Sequence, residues 1–199
     1  ISGGVIEGRD NSAVAGNGTV NGTADYGRTE INISGGTLIG RIQSSGYLAN
    51  ALYHPQAGQL FITGGTLYAD GGAAVVARAG NASITGGTIV STGTGVGKVG
   101  DGQIQVPSSG VVVDVKAGYP GNQGNLKVDV SGSASVTAAD TVNAVTVILA
   151  DSTPENEAKT YIGVSGGSFS SRVNANYCAG NYEPTGELTN GRYTVQIDK

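Results

Sequence analysis

The stretch "LFITGGTLYA", Leu60 to Ala69, decides the fold, because its centre returns along the chain: "ISGGVI" from Ile1, "ISGGTL" from Ile33, "ITGGTL" from Ile62, "ITGGTI" from Ile84, a degenerate "VSGSAS" from Val130 and "VSGGSF" from Val164. Aligned, these copies form columns. Ile1, Ile33, Ile62, Ile84, Val130 and Val164 make one apolar column, and Ile31, Leu60, Ala82, Val128 and Ile162, two residues earlier, make another. That period of two belongs to a strand with one face turned inward. A hydroxyl residue follows in every copy (Ser2, Ser34, Thr63, Thr85, Ser131, Ser165), then a glycine, and the sixth column returns to Ile6, Leu38, Leu67, Ile89 and Phe169, broken only by Ser135. The first and sixth columns lie an odd number of residues apart, so one straight strand would point them to opposite faces. A corner at the glycine pair resolves this, since glycine takes positive φ without a Cβ clash. Each copy therefore reads as strand, corner, strand.

A third apolar segment follows each corner after a variable loop: "AVA" at Ala13, "YLANALY" at Tyr47, "AAVVA" at Ala73, "GVVVDV" at Gly110 and "AVTVIL" at Ala144. Three short strands per repeat, variable spacing between anchors and constant anchor phrases predict an all-β fold. The expected form is a single-stranded right-handed parallel β-helix, a solenoid of about six coils in which equivalent strands pair and identical columns stack into a core. The Ser/Thr column is expected to form a hydroxyl ladder. A β-sandwich would call for regular strand spacing without an aligned Gly-Gly phrase.

Composition agrees with many turns between short strands. The chain has 199 residues with 35 glycines and no methionine or tryptophan, and only 13% of its residues are charged. The glycines lack the every-third-residue period of collagen. A net charge of -4, with 11 basic residues scattered singly, argues against a nucleic-acid partner. Cys178 is the only cysteine, which excludes an internal disulfide and a Cys-based zinc site. No apolar window is long enough to span a membrane. Because the chain opens inside a repeat phrase, a fragment of a longer protein is expected.

The last residues change character. Tyr177, Tyr182 and Tyr193 replace the aliphatic columns, and Asn190-Gly191 in "LTNGRYTV" signals a hairpin. A stack of strands must cover its end, so residues 1–160 are read as β-helix coils and 161–199 as the last coil and a C-terminal cap containing Cys178. The two form one continuous domain.

The run "VSGGSFSSRVNANYCAGNY" followed by "NGRYTV" resembles the ending of β-helical regions in large surface proteins of gut Firmicutes and related anaerobes, and the "ITGGT" coils are similar to carbohydrate-binding β-helix modules of clostridia. The pattern covers the whole chain, while only about its last 40 residues look family-specific. This resemblance implies a secreted or wall-attached, extracellular, adhesin-like protein. It supplies no ligand and no residue roles.

Parallel β-helices that cleave pectin cluster two or three carboxylates on one face with a histidine and basic residues nearby. Those motifs are absent here. The best catalytic candidates are Asp114 and Lys116, two apart in "VVVDVK", together with Asp129, and a surface ion pair is the simpler reading of them. His54, the only histidine, is followed by Pro55 and reads as a loop residue. The glycine-rich "GTGVGKVGDG" from Gly93 lacks the Gly-Lys-Ser/Thr of a phosphate loop, and "DSTPENEAK" from Asp151 reads as a solvated acidic loop. No cofactor and no metal site is expected. For sugar binding, ring faces flanked by polar groups are the relevant chemistry: Tyr47, Tyr53 and His54, with Tyr68 and Asp70 in the next repeat, form the candidate ligand patch. The expected function is a non-catalytic cell-surface module for adhesion or glycan binding, monomeric and without membrane insertion, whose partner is a host or plant glycan or a host surface protein. The alternatives are a polysaccharide lyase or hydrolase and a structural stalk segment.

Overall fold

The computed structural model describes residues 1–18, 29–43, 49–93, 97–99, 104–120, 124–188 and 190–198. Among these residues the chain is all-β apart from a five-residue helix, Pro154–Ala158, and a short 3-10 turn, Ala175–Tyr177.

Three parallel sheets make up the body. The first contains, in spatial order, Ser2–Arg9, Gly35–Arg41, Thr66–Ala69, Thr88–Ser91, Ser135–Thr137 and Ser168–Phe169. The second contains Val14–Ala15, Leu52–His54, Val75–Ala77, Val111–Asp114 and Val145–Ile148, and the third Glu30–Ile33, Gln59–Ile62, Gly80–Ile84, Leu126–Val130 and Thr160–Val164. The chain visits the sheets in turn, so equivalent strands of successive repeats become neighbours. The expected right-handed β-helix, one closed solenoid of about six coils, is corrected by this pairing: the strands build three separate parallel stacks of six, five and five. The physical reason is that ladder hydrogen bonds form only between equivalent strands. The glycine corners turn the backbone out of one ladder before the next begins, so no ladder closes around the body. An antiparallel pair, Gly97–Val99 with Ile104–Val106, further interrupts the succession between the fourth and fifth strands of the first sheet.

The repeat columns carry the register. Ile33 pairs with Ile62, Ile62 with Ile84, Ile84 with Val130 and Val130 with Val164. In the first sheet Ile6, Leu38, Leu67 and Ile89 lie in one row, and the next partner is Val136 rather than Ser135. The degenerate "VSGSASV" thus absorbs one extra residue at its corner, which keeps the row apolar. Apart from Ile6, which is exposed at the open first end of its row, these rows and the inward residues of the second sheet, among them Leu52, Val75, Val111 and Val113, form one buried core. A smaller cluster of Tyr53, Ala73, Val76, Val106 and Val112 lies on the other face of the second sheet.

The corner needs glycine for two reasons. Gly65 sits at φ 82°, and a Cβ there would come within 3.0 Å of the Gly35 carbonyl of the preceding repeat; a Cβ on Gly64 would lie 2.5 Å from the Ser34 oxygen. The hydroxyl column makes its ladder through the backbone instead of the expected side chains: the amides of Ser34, Thr63, Thr85, Ser131 and Ser165 donate to Ile1, Ile33, Ile62, Ile84 and Val130. Only the Thr63 hydroxyl also reaches a carbonyl within that column, Ile33 at 3.5 Å, among the described residues.

Beyond Phe169 the chain returns to the end of the stack. Cys178 bridges to Val164, Tyr193 to Phe169, and Tyr182–Pro184 pairs antiparallel with Val195–Ile197. Arg192 ties this segment across the first sheet, donating to the hydroxyls of Ser135, Thr137 and Ser168 at 2.9–3.1 Å and to the Ser168 carbonyl at 2.6 Å. In the acidic stretch read as a loop, Thr153 caps the Pro154–Ala158 helix by accepting from the Asn156 amide, and proline occupies its first turn. No helix among the described residues is long and apolar enough to cross a membrane.

Candidate functional site

The four residues nominated from sequence for the ligand patch that lie among the described residues are not gathered into one open patch. Tyr53 and His54 lie in the Leu52–His54 strand of the second sheet and are 7% and 0% exposed. Tyr68 and Asp70 belong to the first sheet and the corner after it: the Tyr68 hydroxyl shares a 2.8 Å hydrogen bond with Thr92, and Asp70 accepts from the Ile42 amide and pairs with Arg41. Tyr47 lies outside the described residues.

What Tyr53 covers is an ion pair. Strand alternation turns Leu52 and His54 toward the core and Tyr53 outward, beside Val76 and Val112. Arg78 and Asp114 extend the same outward face, where Nε and Nη2 of Arg78 donate to Asp114 Oδ2 at 2.9 and 2.5 Å. The guanidinium stands 5.5 Å from the Tyr53 ring centre and 4.9 Å from that of Tyr119, within cation–π range of both. Both partners are fully buried. Burial pushes the Tyr53 phenol above its ordinary range. This cluster is closed, so Tyr53 serves packing there.

The acids and the amine considered for catalysis are dispersed. Asp114 is held by Arg78, Lys116 Nζ lies 3.5 Å from Asp151, and Asp129 pairs with Lys127 at 3.0 Å on the third sheet. Among the described residues no group of three or more His, Cys, Asp or Glu side chains could hold a metal ion.

An open site forms elsewhere, at the corner of residues 138–144 between the Ser135–Thr137 and Val145–Ile148 strands. Four backbone amides fix that corner: Ala138 donates to Ser170 Oγ at 2.9 Å, Ala139 to the Ser108 carbonyl at 3.0 Å, Val142 to the Ala139 carbonyl at 3.1 Å and Ala144 to Ser171 Oγ at 2.8 Å. Thr141 is held at φ 67°. A β-branched residue rarely adopts this left-handed conformation, which costs on the order of 1–3 kcal/mol and persists only where the surroundings enforce it.

Facing the corner is the segment from Ser170 to Tyr177, and two adjoining grooves run between them. One, of about 400 Å³, is lined by Asn143, Val145, Thr146, Arg172, Asn174 and Tyr177, among others. The other, of about 330 Å³, adds Asp140, Thr141, Ser170, Ser171 and Tyr193. Asn143 and Arg172 line both, so the two grooves are continuous. Two tyrosines lean on the core with their rings part-exposed. Amide, hydroxyl and guanidinium groups beside ring faces can bond sugar hydroxyls while the rings meet the apolar faces of the sugar.

Sequence reasoning assigned Tyr177 and Tyr193 to the covering of the stack end and passed over Asn143 and Arg172. The two walls are some 30 residues apart and carry no motif. The one available signal was the cluster of polar residues Asp140, Thr141 and Asn143 just before the apolar Ala144–Leu149 stretch. No family model, no curated protein and no solved structure matches this chain.

Proposed function

We propose that this chain is a non-catalytic module of a secreted or cell-surface protein that binds a glycan in the double groove around Asn143 and Arg172, and so serves adhesion. The observation that carries the reading is the groove's construction: a corner locked by four amide hydrogen bonds and a strained Thr141, set against two part-exposed tyrosines. Preorganised polar groups beside ring faces suit a ligand of many hydroxyls and few charges, because little ordering cost remains at binding. The resemblance of the tail to adhesin-like surface proteins supports the extracellular setting.

A panel of plant and host glycans tests this, with affinities of the retained ligands measured by calorimetry. Tyr177→Ala and Asn143→Ala are each expected to weaken binding about tenfold, equivalent to about 1.4 kcal/mol. Retention of no glycan, or both variants binding like the parent, would refute the proposal.

A further inference from the structure

The two grooves share Arg172 and differ in charge through Asp140, which lines only one of them. Among the side chains the structure describes, the other lysines and arginines are already engaged. Arg9 and Arg41 pair with Glu7, Arg78 with Asp114, Lys116 with Asp151, Lys127 with Asp129 and Lys159 with Glu155. Arg192 is taken up by serine and threonine hydroxyls and by carbonyls. Arg172 pairs with no carboxylate. Its Nε and Nη2 donate to the backbone carbonyls of Thr185 and Pro184 at 3.3 and 3.4 Å, which orients the guanidinium and leaves Nη1 with no partner among the described residues. No acidic side chain lines the Asn143–Tyr177 groove, while Asp140 lines the other one. A positioned guanidinium with donor capacity in reserve matches a carboxylate.

We infer that the Asn143–Tyr177 groove takes a uronic acid residue, its carboxylate against Arg172, while a neutral residue of the same oligosaccharide occupies the adjoining groove. This rests on the glycan-binding reading. The ring of Tyr177 would meet the apolar face of the sugar, and Asn143, which also has no hydrogen-bond partner among the described residues, would bond its hydroxyls. On the far side Asp140 would repel a second carboxylate, so isolated uronates within a mixed chain suit the site better than a uniformly charged one.

The test is calorimetry with uronate-containing tetrasaccharides, each compared with its own methyl ester, which keeps the sugar and removes the charge. The acid is expected to bind about tenfold or more tighter than the ester, and the preference should shrink as salt is raised. Arg172→Gln should abolish the preference and Arg172→Lys should restore part of it; circular dichroism of both variants confirms that the tail remains folded. Equal binding of acids and esters overturns the inference and leaves glycan binding standing. A preference that survives in folded Arg172→Gln also overturns it. Failure of neutral and acidic glycans alike overturns both readings.

Discussion

Lowering the pH from 8 to 5 should cost this protein about 2 kcal/mol of stability through one side chain. His54 points into the core from the second sheet, fully buried, in the row of Ala77 and Val113, and neither ring nitrogen has a hydrogen-bond partner among the described residues. Burial disfavours the charged imidazolium and pulls the folded-state pKa down from 6.5 to about 4. The unfolded chain therefore binds a proton before the folded one does. The stabilisation is complete above pH 6.5 and is lost as pH falls through the window toward 4. At about 1.4 kcal/mol per unit, the 2.5-unit difference (6.5 less 4) amounts to roughly 3 to 4 kcal/mol in all, of which about 2 is spent by pH 5. Because His54 is the only histidine, the ordinary carboxylates, which titrate mostly lower, leave this window clear. Urea denaturation at intervals between pH 8 and 5 measures the effect, with His54→Leu as the reference that keeps an apolar volume in the core. The parent should lose about 2 kcal/mol over the range and the variant should stay nearly level. Parallel curves for the two proteins would refute the reasoning.

The Arg78–Asp114 pair predicts non-additivity. Asp114→Leu alone strands a buried guanidinium and should cost about 3–5 kcal/mol by chemical denaturation, whereas adding Arg78→Met should recover most of the loss; a double variant no more stable than the single one would argue against a charge-stranding cost. Gly65→Ala forces a side chain into the left-handed region and against the Gly35 carbonyl, so a loss of about 1–3 kcal/mol is expected. The same substitution at Gly186, where φ is unremarkable and a Cβ would meet nothing within 4 Å, should be nearly neutral, and equal losses at the two positions would count against the corner argument.

Much of the architecture could be read from the chain, because the evidence for it is periodic. Ile33, Ile62, Ile84, Val130 and Val164 align in sequence and pair in register, and the second glycine of the pair takes positive φ in five copies of the phrase, at Gly4, Gly36, Gly65, Gly87 and Gly167. A stacked repeat forces equivalent residues into one row, and an apolar row must face inward. That argument is local and needs no knowledge of the other sheets. It did not reveal that the ladders remain three separate stacks, since closure depends on how corners and insertions carry the chain between sheets.

Position relative to the sheet face was the second thing the sequence left open. Tyr53 looked like a surface ring because it stood beside a loop. Arg78, a single basic residue with no motif, turned out to be its partner, brought into register with Asp114 across paired strands 36 positions apart. The groove was hidden for the same reason. Asn143 and Arg172 lie on walls contributed by successive repeats, and they converge only when the Ser170 and Ser171 hydroxyls lock the corner of residues 138–144 in place. The repeat pattern alone determined which residues form strands, where the glycine corners fall and which columns are buried, since burial of a repeated apolar face is dictated residue by residue. Tertiary structure decided which polar side chains meet, because the residues that differ between copies obey no period and are brought together only by stacking.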